Sequence, residues 1–136
     1  MKLAIIGATG MVGNQILEIL QERNFVYSEL ILVASEKSVG KEKIVNNKSI
    51  LIIGLEEMFL LKPNLALFSA GSEISKTWAP RLAEIGCKVI DNSSYWRMNP
   101  KHKLIIPEVN GNQLTSTDMI IANPNCSTIQ LLIVLA

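Results

Sequence analysis

The sequence predicts an α/β fold of the doubly wound kind, on a mostly parallel sheet. Three observations predict it. Short apolar runs bounded by turn residues recur along the chain, segments of helical period lie between them, and a triple-glycine turn follows the first run. The runs cover residues 3–6, 30–34, 50–53, 65–69, 88–91, 104–106 and 119–122. Most are continuously hydrophobic, not alternating, as expected of strands buried on both faces of a parallel sheet. One helix is predicted from Val12, Ile16, Ile19 and Leu20, and another from Ile74, Trp78, Leu82 and Ile85. Pro80 lies inside the second pattern and predicts a kink or an irregular start. Alternating strands and helices imply right-handed β-α-β crossovers and a ligand crevice at the carboxyl ends of the strands.

The bulk properties narrow the function classes. A chain of 136 residues fits one domain, and 49% hydrophobic against 18% charged residues is a folding composition. Thirteen Lys plus Arg against twelve Asp plus Glu leave a net charge of +1, which argues against nucleic acid or an anionic membrane as partner and for a small molecule. Cys87 and Cys126 have no paired metal spacing, so a reducing compartment and no metal are expected. The first apolar run starts at once and turns at Gly7, with neither signal-peptide nor transmembrane length, which reads as cytoplasmic.

The chemistry begins at G-A-T-G-M-V-G. Gly7 permits a tight turn, Gly10 lets backbone approach a pyrophosphate, and Gly13 allows close helix-strand packing. The helix that follows offers its free N–H groups to phosphate, the mark of a Rossmann-like dinucleotide-binding domain. An NAD site usually has an acidic residue at the end of the second strand for the ribose hydroxyls. Here that strand ends at Ala34 and Ser35, and the next residues are Glu36, Lys37, Ser38, Val39, Gly40 and Lys41. Hydroxyls and cations there suit a 2′-phosphate, so NADP is expected over NAD, with Glu36 as the opposing feature. At Ser69-Ala70-Gly71-Ser72 a second strand-to-helix turn, with Ser72 as its N-cap, can border the cofactor or serve as an ordinary turn.

Two further segments belong to the same edge of the sheet. Asp91-Asn92-Ser93-Ser94-Tyr95-Trp96-Arg97 carries a guanidinium able to grip phosphate or carboxylate, although a surface arginine would have the same composition. Asn123-Pro124-Asn125-Cys126-Ser127-Thr128 places Cys126 where the last helix begins. A helix N-terminus favours a thiolate over a thiol and presents N–H groups to the oxyanion formed when that thiolate attacks a carbonyl. Cys87 reads instead as a small buried hydrophobe, and His102, between Lys101 and Lys103, as solvent-facing. Residues 129–136, I-Q-L-L-I-V-L-A, form a helix apolar on nearly all sides, which must be buried against something.

Taken in order, G-A-T-G-M-V-G, A-S-E-K-S-V-G-K, S-A-G-S, D-N-S-S-Y-W-R, P-E-V-N and N-P-N-C-S-T resemble aspartate-semialdehyde dehydrogenase along the entire chain. The resemblance implies NADPH-dependent reductive dephosphorylation of L-aspartyl-4-phosphate to the semialdehyde, a step of lysine, methionine and threonine biosynthesis. It implies Cys126 as the nucleophile that forms a thioacyl enzyme, Asn125 shaping its turn and Arg97 binding the phosphoryl group. It further implies a cofactor site of Gly7, Thr9, Gly10, Met11, Val12, Gly13, Ser35, Lys37, Ser38, Ser69, Gly71 and Asn92. Family members continue into a second domain that holds the acid/base histidine and most of the dimer interface. Residues 1–126 are then expected to be the NADP-binding domain and residues 127–136 the first helix of a catalytic and dimerisation domain. The chain would pair with a C-terminal half or form a homo-oligomer, and be inactive alone. N-acetyl-glutamyl-phosphate reductase shares the chemistry but resembles a G-C-Y pattern at the nucleophile, and a non-catalytic nucleotide-binding module is the rival from another class.

Overall fold

A computed structural model describes all 136 residues. It contains eight strands: β1 (Lys2–Ile6), β2 (Glu29–Val33), β3 (Glu42–Val45), β4 (Lys48–Ile53), β5 (Leu65–Phe68), β6 (Lys88–Asp91), β7 (Lys103–Leu104) and β8 (Ile120–Ala122). Five helices accompany them: α1 (Met11–Glu22), α2 (Leu55–Leu60), α3 (Ser72–Glu84), α4 (Pro107–Asn110) and α5 (Cys126–Leu135). The sheet order is β3-β4-β2-β1-β5-β6-β8-β7, and every pairing is parallel except β3 with β4. The expected doubly wound, mostly parallel sheet is therefore present. No helix is long and apolar enough to cross a membrane.

Each face of the sheet has its own core. Ala4, Ile6, Ile31, Val33, Ala66, Phe68 and Val89 pack on one side with Met58 of α2 and with Trp78, Ala79 and Leu82 of α3. Leu3, Ile5, Leu30, Leu32 and Ile52 pack on the other with Leu17 of α1. Only α1 covers that second face. Leu65 and Leu67 of β5, Ile90 of β6 and Ile121 of β8 are accordingly half-buried, so burial of the strands on both faces holds for β1 and β2 but not for the far half of the sheet.

Several local expectations change. Along α1 the buried residues are Gly13 and Leu17, flanked by Ile16 and Leu20, while Val12 and Ile19 are about half exposed. The helix is thus turned away from the face its apolar residues suggested, because Gly13 must meet the end of β1. Helix α3 runs unbroken through Pro80 from Ser72, anchored by Trp78, Ala79 and Leu82, and proline removes only one ladder bond. Its N-cap is Gly71, at φ 89, not Ser72, whose hydroxyl instead pairs with that of Ser94 at 3.1 Å. The predicted run 104–106 is strand only over Lys103–Leu104, although Ile105 and Ile106 are both buried. Elements β3, α2 and α4 carried no sequence signal of their own.

Candidate functional site

The chain reverses across the sheet at β1: β2 and β4 lie to one side of it, β5 and β6 to the other. A crevice forms where such a reversal parts the loops at the carboxyl ends of the strands. Gly7 turns the chain out of β1 at φ +89, and a Cβ there would stand 2.6 Å from the carbonyl oxygen of Ser69. The N–H groups of Gly7 and Ala8 both donate to the carbonyl of Val33, tying the turn to β2. A Cβ on Gly13 would meet the carbonyl oxygen of Gly7 at 2.2 Å, so only glycine lets α1 approach the strand end. Gly10, the N-cap of α1, is different. A Cβ there would touch nothing nearer than the Gly7 carbonyl oxygen at 3.4 Å, so the missing side chain leaves backbone open instead of relieving a clash. No side chain caps α1, and its first turn carries no acidic residue. Met11, Val12 and Gly13 therefore present N–H groups ahead of the first helical bond, from Asn14 to Gly10.

The crevice measures about 290 Å³ and is lined by Ile6, Gly7, Thr9, Gly10, Val33, Ala34, Ser35, Leu55, Ala70 and Ile74. Apolar walls over a floor of open peptide suit a ligand with a flat ring and phosphates. Gly7, Thr9, Gly10 and Ser35 were expected here from sequence. Leu55 and Ile74 were not, because they arrive on α2 and α3 from the far side of the sheet. Ser69 stands behind the turn, its hydroxyl donating to the carbonyls of Ile6 and Gly7 at 3.1 and 3.5 Å. Lys37 and Ser38 lie in an ordered turn just beyond Ser35, with the N–H of Ser38 donating to the Ser35 carbonyl at 2.8 Å. Lys37 is exposed and has no ion-pair partner, and neither has Glu36. Sequence reasoning missed Lys43 altogether. From β3 its ammonium donates to the carbonyl of Ala8 at 3.1 Å and to the side-chain oxygen of Asn14, bracing the glycine turn from behind.

The second half of the site lies at the ends of β6 and β8. Buried Asp91 accepts from the N–H and hydroxyl of Ser93, which holds the 92–97 loop in a tight turn. Trp96 inserts into the core and donates to Ser75 at 2.8 Å. The next residue, Arg97, is thereby delivered to the sheet edge. Its Nε donates to the carbonyl of Asn123 at 3.0 Å and its Nη2 to that of Asn92 at 2.9 Å. No carboxylate pairs with it. A guanidinium held by neutral carbonyls keeps its charge available for an incoming anion.

Beyond β8, Asn125 caps α5 by accepting from the N–H of Ser127 at 2.9 Å, and Cys126 is the first helical residue, its thiol exposed. Cys126 sits as the sequence predicts, with its thiol 3.9 Å from the Asn125 side-chain oxygen. Cys87 is buried beside β6, and burial pushes its thiol up to about 12. His102 is not simply solvent-facing: its ring packs edge-on against Trp96, 4.8 Å between centroids. Burial, and then the ammonium of Lys101, hold its imidazole below the ordinary range.

Comparison with known proteins places this geometry in a family. Residues 2–117 match the family model described as semialdehyde dehydrogenase, NAD binding domain. The chain is 49% identical over 135 residues to aspartate-semialdehyde dehydrogenase 2 of Vibrio cholerae, and 48% identical over 137 residues to the aspartate-semialdehyde dehydrogenase of Aquifex aeolicus. In both cases 98% of this chain is covered, and it spans 40% of the relative's length. The crystal structure of aspartate semialdehyde dehydrogenase II from Vibrio cholerae superposes with a TM-score of 0.93 at 48% identity, covering 98% of this chain and 41% of that one. A glycine turn demanded by packing, a crevice at the reversal of the sheet and a match over nearly the whole chain agree, and the chain belongs to the semialdehyde dehydrogenase NAD-binding domain family.

Proposed function

We propose that this chain is the nucleotide-binding and nucleophile-bearing part of an NADP-dependent aspartate-semialdehyde dehydrogenase. One observation carries the reading: an exposed thiol opens α5 three residues after the carbonyl on which an unpaired guanidinium rests. The sulfur of Cys126 attacks the acyl carbon of L-aspartyl-4-phosphate. A C–S bond forms as the C–O bond to phosphate breaks, and Arg97 takes the charge of the leaving phosphate. NADPH, when bound, supplies the hydride that reduces the thioacyl carbon. The carbonyl then re-forms as the C–S bond breaks, and Cys126 regains its thiolate while the aldehyde leaves. The cofactor would be held by the N–H groups of Met11, Val12 and Gly13, by Thr9 and Ser35, and by Ser69, Gly71 and Asn92 along the edge. Lys37 and Ser38 would receive the 2′-phosphate. Residues 127–136 would open the following catalytic and dimerisation domain, which would also supply the acid/base.

NADPH fluorescence titration and a phosphate-dependent assay of NADP reduction by aspartate semialdehyde test this reading. The chain should bind NADP more tightly than NAD, and Lys37→Ala should erase that preference. An unchanged ratio of dissociation constants would remove Lys37 as the discriminator. Turnover should appear only when the remaining length of the relatives is supplied as a second polypeptide, and should vanish in Cys126→Ser. Cofactor binding without turnover under those conditions would instead support a non-catalytic nucleotide-binding module.

A further inference from the structure

Arg97 is positioned before any anion arrives, and the device that positions it can be read from the strand ends. Strands β6 and β8 run parallel with Asp91 opposite Ala122, so the next residues, Asn92 and Asn123, face each other just beyond the sheet. Both remain tied to the ladder: the N–H of Asn92 donates to Phe68 and that of Asn123 to Asp91. Their side chains then close on one another, Asn123 Nδ2 donating to Asn92 Oδ1 at 2.6 Å. The guanidinium bridges the two backbone carbonyls of this same pair through Nε and Nη2, and Nη1 makes no hydrogen bond within the chain.

We propose that Asn123 is a positioning residue, whose amide cross-link to Asn92 sets the spacing of the two carbonyls so that Arg97 offers its Nη1 side to a phosphoryl oxygen. The inference rests on the reading of Arg97 and Cys126 given above. Two neutral acceptors fix the plane of a guanidinium without neutralising it, whereas a carboxylate would do both. Asn123 also begins the segment that leads through buried Pro124 to Cys126, but its side-chain amide acts on the anion grip alone. Without the cross-link only the ladder bonds relate the two strand ends, and the plane of the fork is held less tightly.

The test measures alkylation of Cys126 by iodoacetamide in the full chain, by mass spectrometry, with inorganic phosphate as the protecting anion. Phosphate should slow labelling, and Arg97→Ala should abolish the protection. Asn123→Ala should weaken the apparent affinity for phosphate roughly tenfold, the upper range for one lost hydrogen bond, while its labelling rate in phosphate-free buffer stays parental. Asn92→Ala should weaken it comparably, and the double variant no further, since both remove one bond. Silence of Cys87, buried in the folded chain, is the internal check of folding, and Asn123→Ser replaces Asn123→Ala if Cys87 becomes labelled. Absence of protection in the parent, or its survival in Arg97→Ala, would overturn the underlying reading of the site. Loss in Arg97→Ala with parental protection in the Asn123 variant would overturn the positioning role alone. A phosphate-free labelling rate that falls with the protection would also overturn it, by showing a general structural effect.

Discussion

Substituting alanine at each glycine of the first turn should separate folding from binding. At Gly13 the new methyl would lie 2.2 Å from the Gly7 carbonyl oxygen and 2.9 Å from the Ala8 Cα, both backbone atoms that no rotamer change can move. Ordinary contact needs about 3.5 Å, so α1 would have to withdraw by about 1 Å from the end of β1. Overpacking of this kind costs about 1–3 kcal/mol, and contact with backbone puts it at the upper end. Better helix propensity returns at most about 1 kcal/mol, leaving a net loss of about 2 kcal/mol. For a chain of this size that is a fall in Tm of roughly 5–12 °C. Gly10→Ala should behave oppositely. Its φ of −77 and ψ of 170 are open to alanine and its nearest contact is 3.4 Å. Its stability should therefore stay within about 0.5 kcal/mol of the parent. The methyl would nonetheless occupy the open floor of the crevice, and NADPH affinity should fall at least tenfold, about 1.4 kcal/mol. Circular dichroism melting and NADPH fluorescence titration on the same preparations measure both quantities. A Gly13→Ala chain as stable as the parent, or a Gly10→Ala chain with parental affinity, would refute the division of labour.

Iodoacetamide near neutral pH should label Cys126 readily and Cys87 only on unfolding, because burial both hides the second thiol and pushes it up to about 12; equal labelling of the folded chain would defeat this. His102 gives a pH dependence of definite sign. Its folded pKa is lowered, so the unfolded chain takes up the proton first, and stability should be lost as pH falls through the ordinary histidine value of 6.5. His102→Gln should flatten denaturant midpoints measured from pH 7.5 downward, and an unchanged slope would exclude His102 as its origin. The 136-residue chain should self-associate through α5, where Leu131 is 59% and Val134 82% exposed. Burying four such apolar side chains is worth on the order of 6–12 kcal/mol; a monomer in sedimentation velocity at micromolar concentration would count against it.

Much of the fold was legible because its signals are local. An apolar run between turn residues marks a strand by its local composition, so six of the seven predicted runs nearly match strands, and the seventh meets its strand only at Leu104. Glycine spacing carried the turn, since positive φ at Gly7 and the absence of a Cβ at Gly13 are needs of the residue itself. The junction N-P-N-C-S-T likewise announced a helix opening at Cys126, while the cap by the Asn125 side chain emerged only in the structure. Contacts between distant residues had no such signal. Edge strand β3 is made of charged and apolar residues that become a strand only by pairing with β4, and α2 is too short to show a period. The rotation of α1 was decided by the fit of Gly13 to β1, not by the apolarity of Val12 and Ile19. Arg97 shows the division most clearly. Its guanidinium was visible in sequence, but whether it was a surface charge or an anion grip depended on two carbonyls, five and twenty-six residues away, that only the parallel pairing of β6 and β8 brings together.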